Sequence, residues 1–170
     1  MYIYLNIHMT SIDDLSILST FEVNEIITPS ELNKYNDIED TLLKKVKSKY
    51  GNKCNNDGYI NKNSIQIISR TMGNIKSIYF TGDIHYKLKL EAKINIPSIG
   101  DRIKCQVKGK NSAGILCVKG PFHIILSPNT PENESIYDKI ELEDNITIEI
   151  LRFRVMYRQE HIKVLAKYVE

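Results

Sequence analysis

The sequence predicts an α+β chain built as two modules, the first with one main helix on an antiparallel sheet, the second a five-stranded β-barrel. Three observations carry this expectation. One amphipathic stripe occupies residues 37–50, a long alternating stretch occupies 84–96, and five short β-type segments follow Gly100 with almost no helical period.

Taken in order, Tyr2–Ile7 reads either as a short strand or as an apolar leader. Phe21–Ile27 alternates apolar with polar residues, as a half-buried strand does. Thr28-Pro29-Ser30 ends it, and Pro29 suits the first position of a turn or helix. In the helix, Ile38, Leu42, Leu43, Val46 and Tyr50 fall at three- and four-residue spacing and so share one face. Asp37, Glu39 and Asp40 occupy its first turn and Lys44, Lys45, Lys47 and Lys49 its last, an order favoured by the helix dipole. That lysine run is the exposed side and end of the helix, and Gly51 is the expected stop.

A turn-rich loop follows from Asn52 to Asn63, and then β segments at Ile65–Ser69 and Ile75–Phe80. Ile84, Tyr86, Leu88, Leu90, Ala92, Ile94 and Ile96 alternate through one long strand, which Pro97-Ser98-Ile99-Gly100 breaks. Beyond that break, strands are predicted at Arg102–Lys108, Gly114–Lys119, Phe122–Leu126, Asn145–Val155 and His161–Tyr168. Turns fall at Gly109–Ser112, Gly120-Pro121 and Arg158–Glu160. Five strands in roughly 70 residues, with a longer gap between the third and fourth, suit a Greek-key barrel of the OB type. The division that follows is an extension over 1–20, a first domain over 21–97 and the barrel over 98–170.

Composition narrows the function. The 42% hydrophobic fraction supports ordinary cores, and no window approaches the roughly 18 uncharged apolar residues of a membrane span. Met1–Met9 is apolar but has neither a basic flank nor a cleavage site, so a soluble intracellular protein with no membrane role is expected. Cys54, Cys105 and Cys117 form no CxxC pair, and His8, His85, His123 and His161 lack ligand spacing. The thiols read as bystanders in a reducing compartment, zinc is rejected, and no cofactor or metal is expected. No GxSxG, HExxH, P-loop or GxGxxG occurs, so the chain reads as no enzyme.

A net charge of +2 is too small to mark a dedicated nucleic-acid binder. Its distribution is uneven, however. Residues 1–43 hold eight acids against one base, Lys34, whereas bases dominate from Lys44 onward apart from an acidic interval at Glu132–Asp144. Each end therefore suits a different partner. Arg152, Arg154 and Arg158, with Tyr157, form the densest basic and aromatic group, and alternation puts Arg152 and Arg154 on one face. They read as RNA-phosphate contacts or as a solvated strand face, and Lys104, Lys108, Lys110 and Lys119 on adjacent strands join the RNA-contact candidates. Phe122-His123 is either an RNA-stacking site or, for Phe122, a core residue.

At this point the chain resembles the stalk family of multisubunit RNA polymerases: the seventh subunit of eukaryotic RNA polymerase II and its archaeal, E-type stalk counterpart. The similarity runs in one order from Phe21 to the C-terminus, about 150 of the 170 residues. It rests on LLKKVKSKYGNKCNNDGYI (42–60), FTGDIHYKLKLEAKINIPSIGDRIKCQV (80–107) and GKNSAGILCVKGPFHIILSPN (109–129), whose order and spacing are more specific than any one alone. The resemblance implies a non-catalytic subunit with two parts. An N-terminal tip domain would dock on the polymerase core subunits, and an OB barrel would project beside nascent RNA. It also implies a helical partner of the fourth-subunit or archaeal F type. Docking is carried onto the loops at 51–63 and 71–82, and so onto Gly51, Cys54, Gly58, Tyr59, Gly73 and Gly82.

Two departures shape that expectation. Residues 1–20 precede the family's usual start and read as a lineage-specific arm. The second and third barrel strands also lack the aromatic pair of strong RNA binders, so RNA contact is expected to be weak and sequence-tolerant, base stacking being worth about 1–3 kcal/mol per base. The richness in Ile, Asn and Lys suits an AT-rich genome, cellular or that of a large DNA virus. The expected location is accordingly the nucleus, or the virion and host cytoplasm. A free-standing OB-fold RNA-binding or translation-factor-like protein is the competing reading.

Overall fold

The computed structural model describes residues 15–32, 37–75, 81–128, 130, 133–134 and 137–169. The predicted segment at Tyr2–Ile7 lies outside them, as does all of the predicted Ile75–Phe80 strand except Ile75. The chain is a mixed α+β protein that divides into two compact units. Among the described residues, one unit holds Leu15, Ser16, Cys54–Tyr59 and the chain from Asn95 onward; the other holds Ile17–Lys53 and Ile60–Ile94. The division thus crosses the sequence more than once. No helix among the described residues is long and apolar enough to cross a membrane.

The first strand, β1 (Ser16–Ile27), starts five residues before Phe21, inside the stretch read as an extension. A short helix α1 (Pro29–Leu32) follows with Pro29 at its first position, and Glu31 turns back to accept from the Thr28 backbone N–H at 2.9 Å. This Thr-Pro-Ser-Glu order is a capping box. The main helix α2 (Ile38–Tyr50) begins where predicted, with the Asp37 carboxylate accepting from the Glu39 N–H at 2.8 Å.

Gly51 stops α2, but with φ −64° and ψ 140° it is extended rather than left-handed, and Asn52 takes the positive φ of 58° instead. Glycine is required there for space. A Cβ would lie 2.4 Å from the Lys47 carbonyl oxygen and 2.5 Å from Lys62 Cγ. After β2 (Tyr59–Ile60) and a 3-10 turn (Lys62–Ser64) come β3 (Gln66–Arg70) and β4 (Asn74–Ile75). These three strands pair with the long central strand β5 (Ile84–Asn95), which also pairs with β1. Leu88, Leu90, Ala92 and Ile94 of β5 are fully buried and belong to one core with Leu42 and Val46 of α2. The alternation read from the sequence is therefore the packing face of this sheet.

The barrel consists of β6 (Arg102–Asn111), β7 (Gly114–Lys119), β8 (Phe122–Leu126), β9 (Asn145–Arg154) and β10 (Ile162–Tyr168). Its closed order is β6-β7-β8-β10-β9, with β8 and β10 parallel and the other neighbours antiparallel. The three-strand meander β6-β7-β8 has the fourth strand, β9, returning beside the first, which is a Greek key. The closed five-stranded barrel is compatible with an OB fold. β6 runs on to Asn111, so the predicted turn at Gly109–Ser112 shifts to Ser112-Ala113.

Inside the barrel, alternate residues interlock: Val107, Cys117, Phe122, Ile124, Ile148 and Ile150 are all fully buried. Phe122 is the largest of these, an aromatic core residue. β9 carries a bulge at Leu151, because Ala166 pairs with Ile150 and Leu165 with Arg152. Ile146, Ile148 and Ile150 point inward before it; after it Phe153 packs on the core while Arg152 and Arg154 stand outside.

Candidate nucleic-acid interface

The bulge at Leu151 helps build the outer face of β7, β8, β10 and β9, on which two rows run across the strands. In the first, Leu116 stands opposite Ile125, Ile125 opposite Leu165, and Leu165 opposite Arg152. In the second, one pleat along, Val118 stands opposite His123, His123 opposite Lys163, and Lys163 opposite Arg154. Strands lie about 4.8 Å apart and rise about 3.3 Å per residue, so each row spans about 14 Å and the rows lie about 7 Å apart. Leu116, Ile125 and Leu165 are 38%, 42% and 39% exposed, high for a row of aliphatic side chains. Two depressions of about 300 Å³ and about 370 Å³ meet at Ile125.

At one corner the His123 imidazole stacks on that of His161. Burial, and then the nearby His161, hold His123 below the usual imidazole range. The β9–β10 turn lies at the end of this face. There Arg158 has φ 63° and its guanidinium sits 5.3 Å from the centre of the exposed Tyr157 ring. The turn is held by Cys54, whose N–H donates to the Gln159 carbonyl at 2.7 Å and whose carbonyl accepts from the Arg158 N–H at 2.8 Å.

The predicted RNA-contact residues are thus only partly brought together. Arg152 and Arg154 share the face, and Arg158 lies in the adjoining turn. Lys104 is exposed opposite Thr147, on the β6–β9 side of the barrel. Lys108 is exposed at the irregularity between Val107 and Gly109. Lys110 is engaged by the chain itself, donating to the Ile140 carbonyl at 3.1 Å and lying 4.8 Å from the Tyr137 ring centre. Lys119 is paired with Phe122 and shares the inward parity of Cys117, so it belongs to the other side of the sheet. Phe122 must be removed from the RNA candidates, since its ring is wholly inside the core. The outward π surface on β8 is the neighbouring His123, one face of which His161 covers.

The docking residues separate as well. Cys54, Gly58 and Tyr59 belong to the barrel unit, whereas Gly51, Gly73 and Gly82 belong to the other. Gly51, Cys54 and Gly58 are buried within the chain; Gly73 is exposed, and Tyr59 and Gly82 are half-buried. Burial pushes the Cys54 thiol up to about 11. Sequence reading missed Leu116, Ile125, Lys163 and Leu165. The available signal was that Leu116, Val118 and Ile125 in GILCVK and FHIIL are aliphatic at positions where a solvated strand face carries charge, His123 being the exception. No protein-family model matches this chain, and no curated protein matches it significantly.

Proposed function

We propose that the chain is a non-catalytic stalk-type subunit of a DNA-directed RNA polymerase. Its N-terminal module is a tip domain that docks on the polymerase core beside a helical partner protein, and its barrel is an OB fold that meets nascent RNA weakly. The observation that carries this reading is the order of elements. A helix ending at Gly51, a loop through Gly58 and a long strand over Ile84–Asn95 lead through Pro97–Gly100 into the Greek-key barrel. The quoted sequence segments resemble the stalk family in that same order.

Weak RNA contact follows from the side chains available. Arg152, Arg154 and Arg158 offer phosphate partners and Tyr157 one exposed ring, while the β7 and β8 face provides no pair of stacking rings. That lack counts against the competing reading of a free-standing oligonucleotide-binding protein. The test is affinity purification of the tagged chain from its native source, followed by mass spectrometry. Stoichiometric recovery of the polymerase large subunits is expected. Recovery without them, together with tight RNA binding by the isolated chain, would replace the stalk reading with the free-standing one.

A further inference from the structure

The outer face of the barrel holds more apolar surface than a phosphate-contacting strand face needs. Its cations are also uncompensated. Among the described residues, Arg152, Arg154 and Lys163 enter no ion pair, and the outward carboxylate of Glu149 on the same strand is already held by Arg102 and Lys167 at 3.5 and 3.4 Å. Three exposed aliphatic side chains therefore lie in a row, bordered on one end and one side by positive charge that no ion pair among the described residues neutralises.

Single-stranded RNA would use only the border. Its phosphates find cations, but its bases meet Leu116, Ile125 and Leu165, which provide no aromatic surface for stacking. A protein segment with aliphatic side chains on one side and carboxylates beside them uses both rows. Its apolar groups cover the aliphatic row, and its carboxylates take charge-assisted hydrogen bonds from Arg152, Arg154 and Lys163. We infer that this face is the docking site for an acidic amphipathic segment of a partner protein. The inference shares its arginines with the weak RNA contact proposed above but rests on the barrel face alone, not on membership of a polymerase.

The experiment uses the full chain and three fluorescein-labelled probes: a synthetic helix-forming peptide of glutamate, leucine and isoleucine, its lysine-for-glutamate counterpart, and a short oligouridine. Anisotropy titrations are expected to show saturable binding of the acidic peptide and none of the lysine peptide. Ile125→Ser and Leu165→Ser should each weaken the acidic peptide about tenfold while leaving oligouridine within about twofold. The double variant Arg152→Glu/Arg154→Glu should weaken both ligands. Amide shift mapping on the unsubstituted protein supplies a readout independent of any variant's folding, with acidic-peptide shifts expected at Leu116, Ile125 and Leu165. Shifts elsewhere, or peptide binding indifferent to Ile125→Ser and Leu165→Ser, would overturn the proposal. Loss of oligouridine binding in those two variants would make the aliphatic row an RNA floor and also overturn it. Failure of the polymerase reading would appear separately, in the purification.

Discussion

The imidazole rings of His123 and His161 lie parallel, with 4.1 Å between centroids and 9° between planes. Two protonated rings at that separation repel, and Lys163 opposite His123 adds a further cation to the same corner. Burial and the His161 interaction both depress the His123 titration. A depressed histidine makes the folded state the poorer proton acceptor, so as pH falls below about 6.5 the unfolded chain protonates first and stability drops. The loss levels off once pH passes below the folded value. Urea melts at about pH 8 and about pH 5 should show this destabilisation. NMR titration of His161→Gln should show His123 moving upward; an unmoved His123 would mean that burial alone sets its value.

Gly114 opens β7 at φ 143°, and a Cβ there would sit 2.4 Å from the Leu126 carbonyl oxygen. The obstacle is backbone and cannot swing aside. Gly114→Ala should therefore cost about 2–3 kcal/mol by chemical denaturation, from the clash and the left-handed conformation together. Ala113→Gly, at the neighbouring exposed position, should change stability by well under 1 kcal/mol.

Cys54 is buried, its Sγ lies 3.7 Å from the His161 carbonyl, and its thiol is pushed up to about 11. The thiolate is the reactive form, so iodoacetamide at about pH 8 should leave Cys54 unmodified in the folded protein and alkylate it fully in denaturant. Cys105, raised by its hydrogen bond with Cys117 and by burial in the barrel, should behave likewise. Peptide mapping by mass spectrometry checks each site. Rapid native labelling of Cys54 would show that the Cys54–Tyr59 segment opens away from the β9–β10 turn.

The elements legible in the sequence were those whose period and punctuation agree. α2 has its stripe and its Asp37 cap, β5 its unbroken alternation, and β7 and β8 their glycine and proline boundaries at 114 and 120–121. Phe122 shows where the site reading failed. Alternation divides a strand into two faces but does not say which one is the inside, and the residue proposed for RNA lies on the core side while His123 lies outside. The β9 bulge was illegible for a related reason, since a single unpaired residue leaves no mark on composition and appears only when the partner's register is known. The long-range anchoring of the β9–β10 turn by Cys54 has no local signal at all.

Arg152, Arg154 and Arg158 should mediate RNA proximity whatever the barrel's main partner. Charge reversal of all three is expected to reduce photocrosslinking to nascent RNA several-fold and flatten the salt dependence of binding, each lost phosphate contact lowering the logarithmic slope by about 0.7. On the stalk-subunit reading proposed above, retention on the polymerase should not change. Phe122→Leu is the control: it alters the core, at about 1 kcal/mol, and should leave crosslinking intact. Crosslinking that survives the triple reversal would take these arginines off the RNA path.

The bulge at Leu151 makes a prediction that runs against intuition about deletions in a strand. In the present ladder Ile150 pairs with Ala166 and Arg152 with Leu165, leaving Leu151 without a partner. Removing Leu151 joins Ile150 directly to Arg152, so inward Ile150, outward Arg152, inward Phe153 and outward Arg154 become one regular alternation. The arginines keep their face, and the cost is the local bend that helps close the barrel, about 1–2 kcal/mol. Removing Glu149 instead joins Ile148 to Ile150, and the ladder stays in phase only where the bulge gives up its extra residue, Ile150 turning outward and Leu151 taking its inward place. With the bulge fixed in place, Ile146 and Ile148, 7% and 0% exposed, would be turned away from the core. Displacing two such side chains forfeits about 3–6 kcal/mol, enough to unfold a marginally stable domain. The lost Glu149 contacts with Arg102 and Lys167, partly exposed, add little to that. Circular dichroism and thermal melts of the two deletion variants give the comparison. A bulge fixed in place predicts the larger loss for the Glu149 deletion alone; equal destabilisation of both would show that it gives up its extra residue to either deletion and does not set the strand's phase.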